Sequence, residues 1–294
     1  MFKRIIKDPP ALICLIIITA LIVAGFLAPV IAPHDPLEVA VQYKYAPPSA
    51  TYPAGNDYLG RDVFSRLLYG IMPSLIWVLI AMFAINGIAV ILAMIAGYKQ
   101  GKVGEVIMRI CDIMLSFPSE IMVLAIVGII GVGLGNILIV IVLLGWPWYT
   151  RVYRSAVLKY TDKNYIKYSA AIGSGMGKIM FTQIFPAILP EIAVIAAGNV
   201  SSLILSISSY SFLGLGVQAP TAEWGSMLNQ AKESLALNPQ QMIAPAIVIV
   251  GVCILFSLFA DFLRNALDVK HVRSGWRRKL AKRNRQLKKE ARKK

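Results

Sequence analysis

Pro73-Ser-Leu-Ile-Trp-Val-Leu-Ile-Ala-Met-Phe-Ala-Ile-Asn-Gly-Ile-Ala-Val-Ile-Leu-Ala-Met-Ile-Ala-Gly-Tyr98 holds 26 residues and no charged side chain. As an α-helix it would rise about 39 Å at ~1.5 Å per residue, enough to cross a hydrocarbon core of about 30 Å. Every backbone N–H and C=O in such a segment must bond within the segment, so the span is a helix. The rest of the chain agrees. Of 294 residues, 57% are hydrophobic and 15% charged, and the mean hydropathy is +0.66. One soluble core cannot hide that much apolar surface behind so few charges. Three cysteines, Cys14, Cys111 and Cys253, lie in apolar runs, which excludes a secreted disulfide scaffold.

Five more stretches read as spans: about Pro10–Ala32, Ile107–Val132 (interrupted by Pro118), Asn136–Tyr153 (containing Pro147), Ala187–Leu215 and Met242–Leu263. The first comes after Lys3, Arg4 and Lys7, as a signal peptide would. Its apolar run is longer than a signal h-region and no A-x-A site comes after it, so it reads as a retained anchor. The chain is therefore expected to be an all-α integral membrane protein with six transmembrane helices. Three sections are expected: 1–72, the anchor and an extracytoplasmic segment; 73–268, the membrane core with a cytoplasmic loop at 154–186; and 269–294, a basic tail.

Net charge is +15, and Arg264–Lys294 supplies +12 of it. A basic tail invites a nucleic-acid reading. Directly after an apolar span it reads instead as a cytoplasmic tail in contact with anionic lipid, with no nucleic-acid partner. Threading six spans puts 26 of the 30 Lys and Arg residues on one side and leaves Lys44, Arg61, Arg66 and Lys232 on the other. The positive-inside rule then makes both termini cytoplasmic.

No catalytic constellation is visible. His34 and His271 fall on opposite sides of the membrane, and there is no H-E-x-x-H or C-x-x-C. Gly173-Ser-Gly-Met-Gly-Lys178 looks like a phosphate loop but has three residues between its outer glycines where a Walker A has four. Ile179 stands where Ser or Thr should bind magnesium. The chain is expected to bind no ATP, no metal and no other cofactor.

Two features invite function. In the cytoplasmic loop, Ala170 and Ala171 end a short helix that Gly173, Gly175 and Gly177 are expected to stop, a shape suited to docking in a partner groove. In the fifth span, Glu191, Ile195, Gly198 or Asn199, Ser202, Ser206 and Ser209 recur at three- and four-residue steps on one helix face. That face reads equally as a pathway lining and as close packing through small residues. Gly131 and Gly135 read as a packing pair. Asp112 and Asp261, near cytoplasmic span ends, read as solvated interfacial groups or salt-bridge partners.

Several longer matches carry a resemblance. Ala32-Pro-His-Asp-Pro36, Gly60-Arg-Asp-Val-Phe-Ser-Arg-Leu-Leu-Tyr-Gly70, Met108-Arg-Ile-Cys-Asp112 and Phe117-Pro118 come in that order. Ser211-Phe-Leu-Gly-Leu-Gly-Val-Gln218, Glu223-Trp-Gly225 and Leu263-Arg-Asn-Ala-Leu-Asp268 come next. The chain resembles inner-membrane permease subunits of ABC importers in the dipeptide/oligopeptide/nickel branch, and in particular the second permease of such a pair. Segment 167–190 resembles the EAA loop that docks on the ATPase. Gly173 stands at the loop's glycine, Ile184 and Pro186 match the family's positions C-terminal to that glycine, and Leu189-Pro190 closes the loop. Lys167 stands where the loop has its glutamate, with Tyr168 and Ser169 in place of two alanines.

The resemblance implies a type I importer fold, a bacterial or archaeal plasma membrane, and a non-catalytic role. It implies four kinds of partner: a homologous permease, two ATPases that use ATP and Mg, an extracytoplasmic binding protein, and lipid. It also implies that Lys167, Ala170, Ala171, Gly173 and Gly175 couple to the ATPase; the polar face of the fifth span independently offers Asn199, Ser202, Ser206 and Ser209 as candidates for the pathway. A secondary transporter is the alternative from another class, but would usually show inverted repeats and intramembrane carboxylates. A non-transporting scaffold is the third, and explains neither the glycine-capped loop helix nor the polar face of the fifth span. The spans hold no histidine, which favours a peptide or chelated metal over a naked ion as cargo.

Overall fold

A computed structural model describes residues 5, 6 and 8–267. The basic tail, His271 and the first three basic residues lie outside the described residues. The described chain is helical, with one isolated bridge between Asn56 and Asp62 as its only β-pairing. In chain order the helices are α1 (Pro9–Ile31), α2 (Val63–Lys99), α3 (Gly101–Leu115), α4 (Ser119–Ile130), α5 (Leu134–Thr161), α6 (Asn164–Ala171), α7 (Met176–Phe212), α8 (Trp224–Lys232) and α9 (Gln240–Leu267).

Proline chemistry shapes the long helices. Pro9 and Pro10 open α1, where a missing N–H costs nothing. Pro73 lies inside α2, and there the helix widens to a π-turn over Met72–Ile76. Pro lacks the N–H for the i→i−4 bond and its ring crowds the preceding turn, and a wider turn relieves both. The second span therefore starts at Val63, not at Pro73. Its N-cap is Asp62, whose carboxylate accepts from the N–H groups of Phe64 and Ser65, each at 3.1 Å. In α7 a second π-turn, Met180–Ile184, comes just before Pro186. The fifth span thus starts at Met176, well before Ala187, and Gly177 is absorbed into it.

Pro118 acts more strongly. Proline drives the residue before it out of helical geometry, and α3 and α4 meet at a bend of 78°. The third span is not one rod. Its two halves still cross the molecule. At one end Gly104 lies so close to the Ala96 carbonyl that a Cβ would sit 2.7 Å from it. At the other, Gly133 N–H donates to the Leu215 carbonyl at 2.9 Å, beyond the far end of α7. Five unbroken spans and one broken span make six.

The core lies between α2 and α5, where Leu75, Val78, Ala89, Ile137, Tyr153 and Val157 are buried. Tyr153 donates to the Asn86 side-chain carbonyl, and Asn86 donates to the Met82 carbonyl at 2.7 Å. Polar bonds of this kind between spans are worth about 0.6–2 kcal/mol. A second contact joins α7 to α9. The outer surface is apolar: Phe83 is 82% exposed and Ile129 85%, as lipid-facing residues would be. Gly131 and Gly135 do not form a packing pair within this chain. Gly131 ends α4 at φ +102, and a Cβ on Gly135 would meet open space.

Ile5 shares a small buried cluster with Val194, Leu263 and Leu267. The start of α1 and the end of α9 therefore lie at one end of the bundle, as an even number of spans requires.

Candidate coupling site and pathway face

The cytoplasmic loop folds as α6 and then a tight turn. Asn164–Ala171 has no acidic residue in its first turn, and its N-cap is Lys163. Both leave the helix dipole uncompensated. Only Ile166 is buried, so α6 holds its place through neighbours. Ser169 and Gln183 bond to each other twice, with Gln183 Nε2 donating to Ser169 Oγ at 3.0 Å and Ser169 Oγ lying 3.2 Å from Gln183 Oε1. This pair fastens α6 to the π-turn at the foot of α7.

Gly173 ends the helix at φ +84, a conformation that costs a residue with a Cβ about 1–2 kcal/mol. The other two glycines are not stops. Gly175 is the N-cap of α7 at an ordinary extended φ, and Gly177 lies in its first turn. The run Gly173–Lys178 comes after a helix and not a strand, so it has no phosphate-loop architecture. Lys167, Ala170, Ala171, Gly173 and Gly175 are all exposed, on α6 and the turn that leads from it into α7. Lys167 Nζ lies 3.4 Å from Asp162 Oδ1, with both side chains well exposed; such a pair contributes about 0–1 kcal/mol.

Two more ion pairs brace this end. Arg151 Nη2 meets Asp112 Oδ1 at 2.8 Å, joining α5 to α3, and Lys159 Nζ meets Glu191 Oε1 at 3.1 Å, joining α5 to α7. Asp112 is thus a salt-bridge partner, and Glu191 is a brace.

On α7, Ser202 and Ser209 are exposed, and Asn199 and Ser206 are partly so. Asn199 and Ser209 bond back to the carbonyls of Ile195 and Leu205, both at 2.8 Å. The serines that pack are their neighbours Ser201, Ser208 and Ser211; Ser201 Oγ donates to the Cys253 carbonyl at 2.8 Å and lies 3.2 Å from Ser257 Oγ. Between α7 and α9 runs a groove of about 520 Å³, with Ser201, Ser202, Ser257 and Asp261 in its lining.

At the opposite end the motif residues form a buried polar lock. Asp57 accepts from Arg61 Nε at 2.7 Å and lies 3.6 Å from Arg66 Nε. Both guanidinium groups donate to Gln230 Oε1 on α8, at 2.9 and 3.1 Å. Glu223 caps α8 through the N–H groups of Gly225 and Ser226, at 2.9 and 2.8 Å, and accepts from Ser74 on α2 at 3.0 Å. Asp62 accepts from Ser65 Oγ at 2.6 Å and pairs with His34 at 3.2 Å. Gly60, at φ +78, runs against the Ala40 carbonyl, where no Cβ fits. In the sequence His34, Gly60, Arg61, Asp62, Ser65, Arg66 and Glu223 serve only as family signatures, and Asp57, Ser74 and Gln230 fall in none of the motifs. A signal was present: two arginines crowd together with two aspartates on a side whose only other basic residues are Lys44 and Lys232. Nothing local marks Gln230, Ser169 or Gln183.

This architecture defines a multi-span membrane subunit with a short exposed helix in a loop on one side and a braced cap on the other. Residues 89–270 match the model of the binding-protein-dependent transport system inner membrane component, and residues 1–48 match the N-terminal TM domain of oligopeptide transport permease C. The chain belongs to this family of ABC importer permeases. It is 41% identical over 266 residues to the metal-staphylopine import system permease protein CntC of Staphylococcus aureus, covering 90% of this chain and 92% of that one. It is 36% identical over 272 residues to the dipeptide transport system permease protein DppC of Alkalihalophilus pseudofirmus (92% and 88%). It is 33% identical over 256 residues to the nickel transport system permease protein NikC of Escherichia coli K12 (87% and 92%). A solved structure of the MetNI methionine ABC transporter in inward-facing conformations matches with a TM-score of 0.55 at 17% identity. The match covers 69% of this chain and 97% of that one, and supports the fold. The chain is a non-catalytic permease subunit; in such importers ATP is hydrolysed by separate ATPases.

Proposed function

We propose that this chain is one of two homologous permeases in a bacterial inner-membrane importer whose cargo is a metal–chelator complex. The observation that carries the cargo is the margin of identity: 41% to a metal-staphylopine permease against 36% and 33% to dipeptide and nickel permeases. The absence of histidine from the spans fits a metal that travels inside its chelator. An extracytoplasmic binding protein delivers the complex, and two ATPases bind ATP and Mg. The spans from α2 onward, Val63 to Leu267, form the translocation core. Asn199, Ser202, Ser206 and Ser209, which face away from this chain's own core, line the path against the partner permease. Lys167, Ala170, Ala171, Gly173 and Gly175 form the surface on which an ATPase pushes. The Ser169–Gln183 pair and the Lys159–Glu191 pair carry that motion into α7 and α5.

The test is uptake by proteoliposomes that contain the whole importer and its binding protein. Zinc–staphylopine, free Ni²⁺ and a dipeptide are offered in turn, with ATP inside. Transport of the chelate alone is expected; transport of a dipeptide in preference would overturn the cargo assignment. Ala171→Asp tests the coupling site. It places an unpaired charge in a docking groove, at a cost of about 2–5 kcal/mol, and should abolish uptake and ATPase recovery at unchanged permease abundance.

A further inference from the structure

The outward surface of α6 has an unusual sign and an unusual anchor. Tyr165, Tyr168 and Ile172 are 47%, 67% and 63% exposed. Their i, i+3, i+7 spacing puts them on one stripe, on the other side of the helix from buried Ile166. Lys167 lies about 100° around the helix from Tyr168, Lys163 is the N-cap, and Lys178 lies in the first turn of α7. Among the described residues, Asp162 is the only carboxylate paired with any of these three lysines. The EAA loop that this segment resembles carries a glutamate where Lys167 stands. The docking surface is therefore aromatic and basic.

We infer that α6 enters a groove on the ATPase subunit that has an apolar floor and an acidic rim, with Tyr168 as the buried anchor and Lys167 paired to an ATPase carboxylate. This rests on the reading of α6 as the coupling element. An exposed aromatic stripe beside small residues (Ala171 and Gly173) fits insertion into a protein groove. An anionic lipid surface is the competing occupant. It suits α6 poorly, because a surface-lying helix needs a longer and wider apolar face than Tyr165, Tyr168 and Ile172 provide. Charge at an interface rim governs partner choice more than affinity. The reversed sign therefore selects this importer's own ATPase against ATPases shaped for a glutamate.

The experiment uses the full importer, purified through this permease in nanodiscs. Lys167→Glu should lower ATPase recovery by on the order of tenfold or more at unchanged permease abundance, since Lys167 is exposed and its only ion pair among the described residues is with Asp162. Recovery of the wild-type complex should fall with added salt. Reversing one ATPase groove carboxylate to lysine should restore the Lys167→Glu complex and weaken the wild type. Unchanged recovery in Lys167→Glu, with loss in Tyr168→Ala and Ala171→Asp, would overturn the acidic rim and leave the coupling site standing. Unchanged recovery in all three variants would remove the coupling site itself. A loss in Lys167→Glu that disappears in phosphatidylcholine nanodiscs would assign the surface to anionic lipid and overturn the proposal.

Discussion

Asp57 holds two guanidinium groups that have almost no contact with water: Arg61 is 2% exposed and Arg66 1%. Burying a cation is expensive unless a counter-charge and hydrogen bonds replace its hydration. Here Asp57, Gln230 and the carbonyls of Pro36 and Pro220 do so. Asp57→Ala leaves both arginines without their carboxylate and should destabilise the protein by about 3–5 kcal/mol. The expected result is a clearly lower melting temperature in detergent and lower abundance. Glu38→Ala, exposed on the same loop, should melt like the wild type. Equal melting of the two variants would show that the lock does not hold the cap. At this scale the sequence is half legible. The spacing of Asp57 and Arg61 is visible, but Gln230 lies 169 residues from Arg61, and only tertiary structure brings them together.

At the scale of elements, hydropathy found the apolar interior of each span and missed its ends. A helix continues wherever its backbone can bond, so α2 runs past Pro73 and α7 takes in Gly177, both with the help of π-turns. Likewise three closely spaced glycines suggested a broad stop, yet only Gly173 has the positive φ that requires glycine. The link that matters most was silent in the sequence, because Ser169 and Gln183 are ordinary polar residues 14 positions apart. Gln183→Ala removes both bonds, each worth about 1 kcal/mol, and frees α6 to move without α7. ATPase recovery with the permease should stay normal, while cargo taken up per ATP hydrolysed falls severalfold. Unchanged coupling would mean that α6 acts on the membrane core by another route.

At the scale of the whole molecule, two independent lines give one topology. The partition of basic residues places both termini in the cytoplasm. The fold separately collects Ile5, Leu263 and Leu267 at one end, and the polar lock, Gly133 and α8 at the other. The bend at Pro118 is the point where this topology can fail. If α3 and α4 were a re-entrant loop, Val132 would return to the cytoplasmic side and every later span would invert. The bond from Gly133 to Leu215 places that turn with the extracytoplasmic end of α7. Single cysteines read this directly. The native cysteines give little background, since Cys14 and Cys111 are buried and Cys253 is partly so, all within helices. A membrane-impermeant maleimide added to intact cells should modify cysteine at Ala50, Val132 and Ala236. It should spare cysteine at Lys102 and Ala171 until the cells are opened. Labelling of Lys102→Cys in intact cells would invert the assignment. Protection of Val132→Cys, with Ala50→Cys and Ala236→Cys still labelled, would remove the sixth crossing.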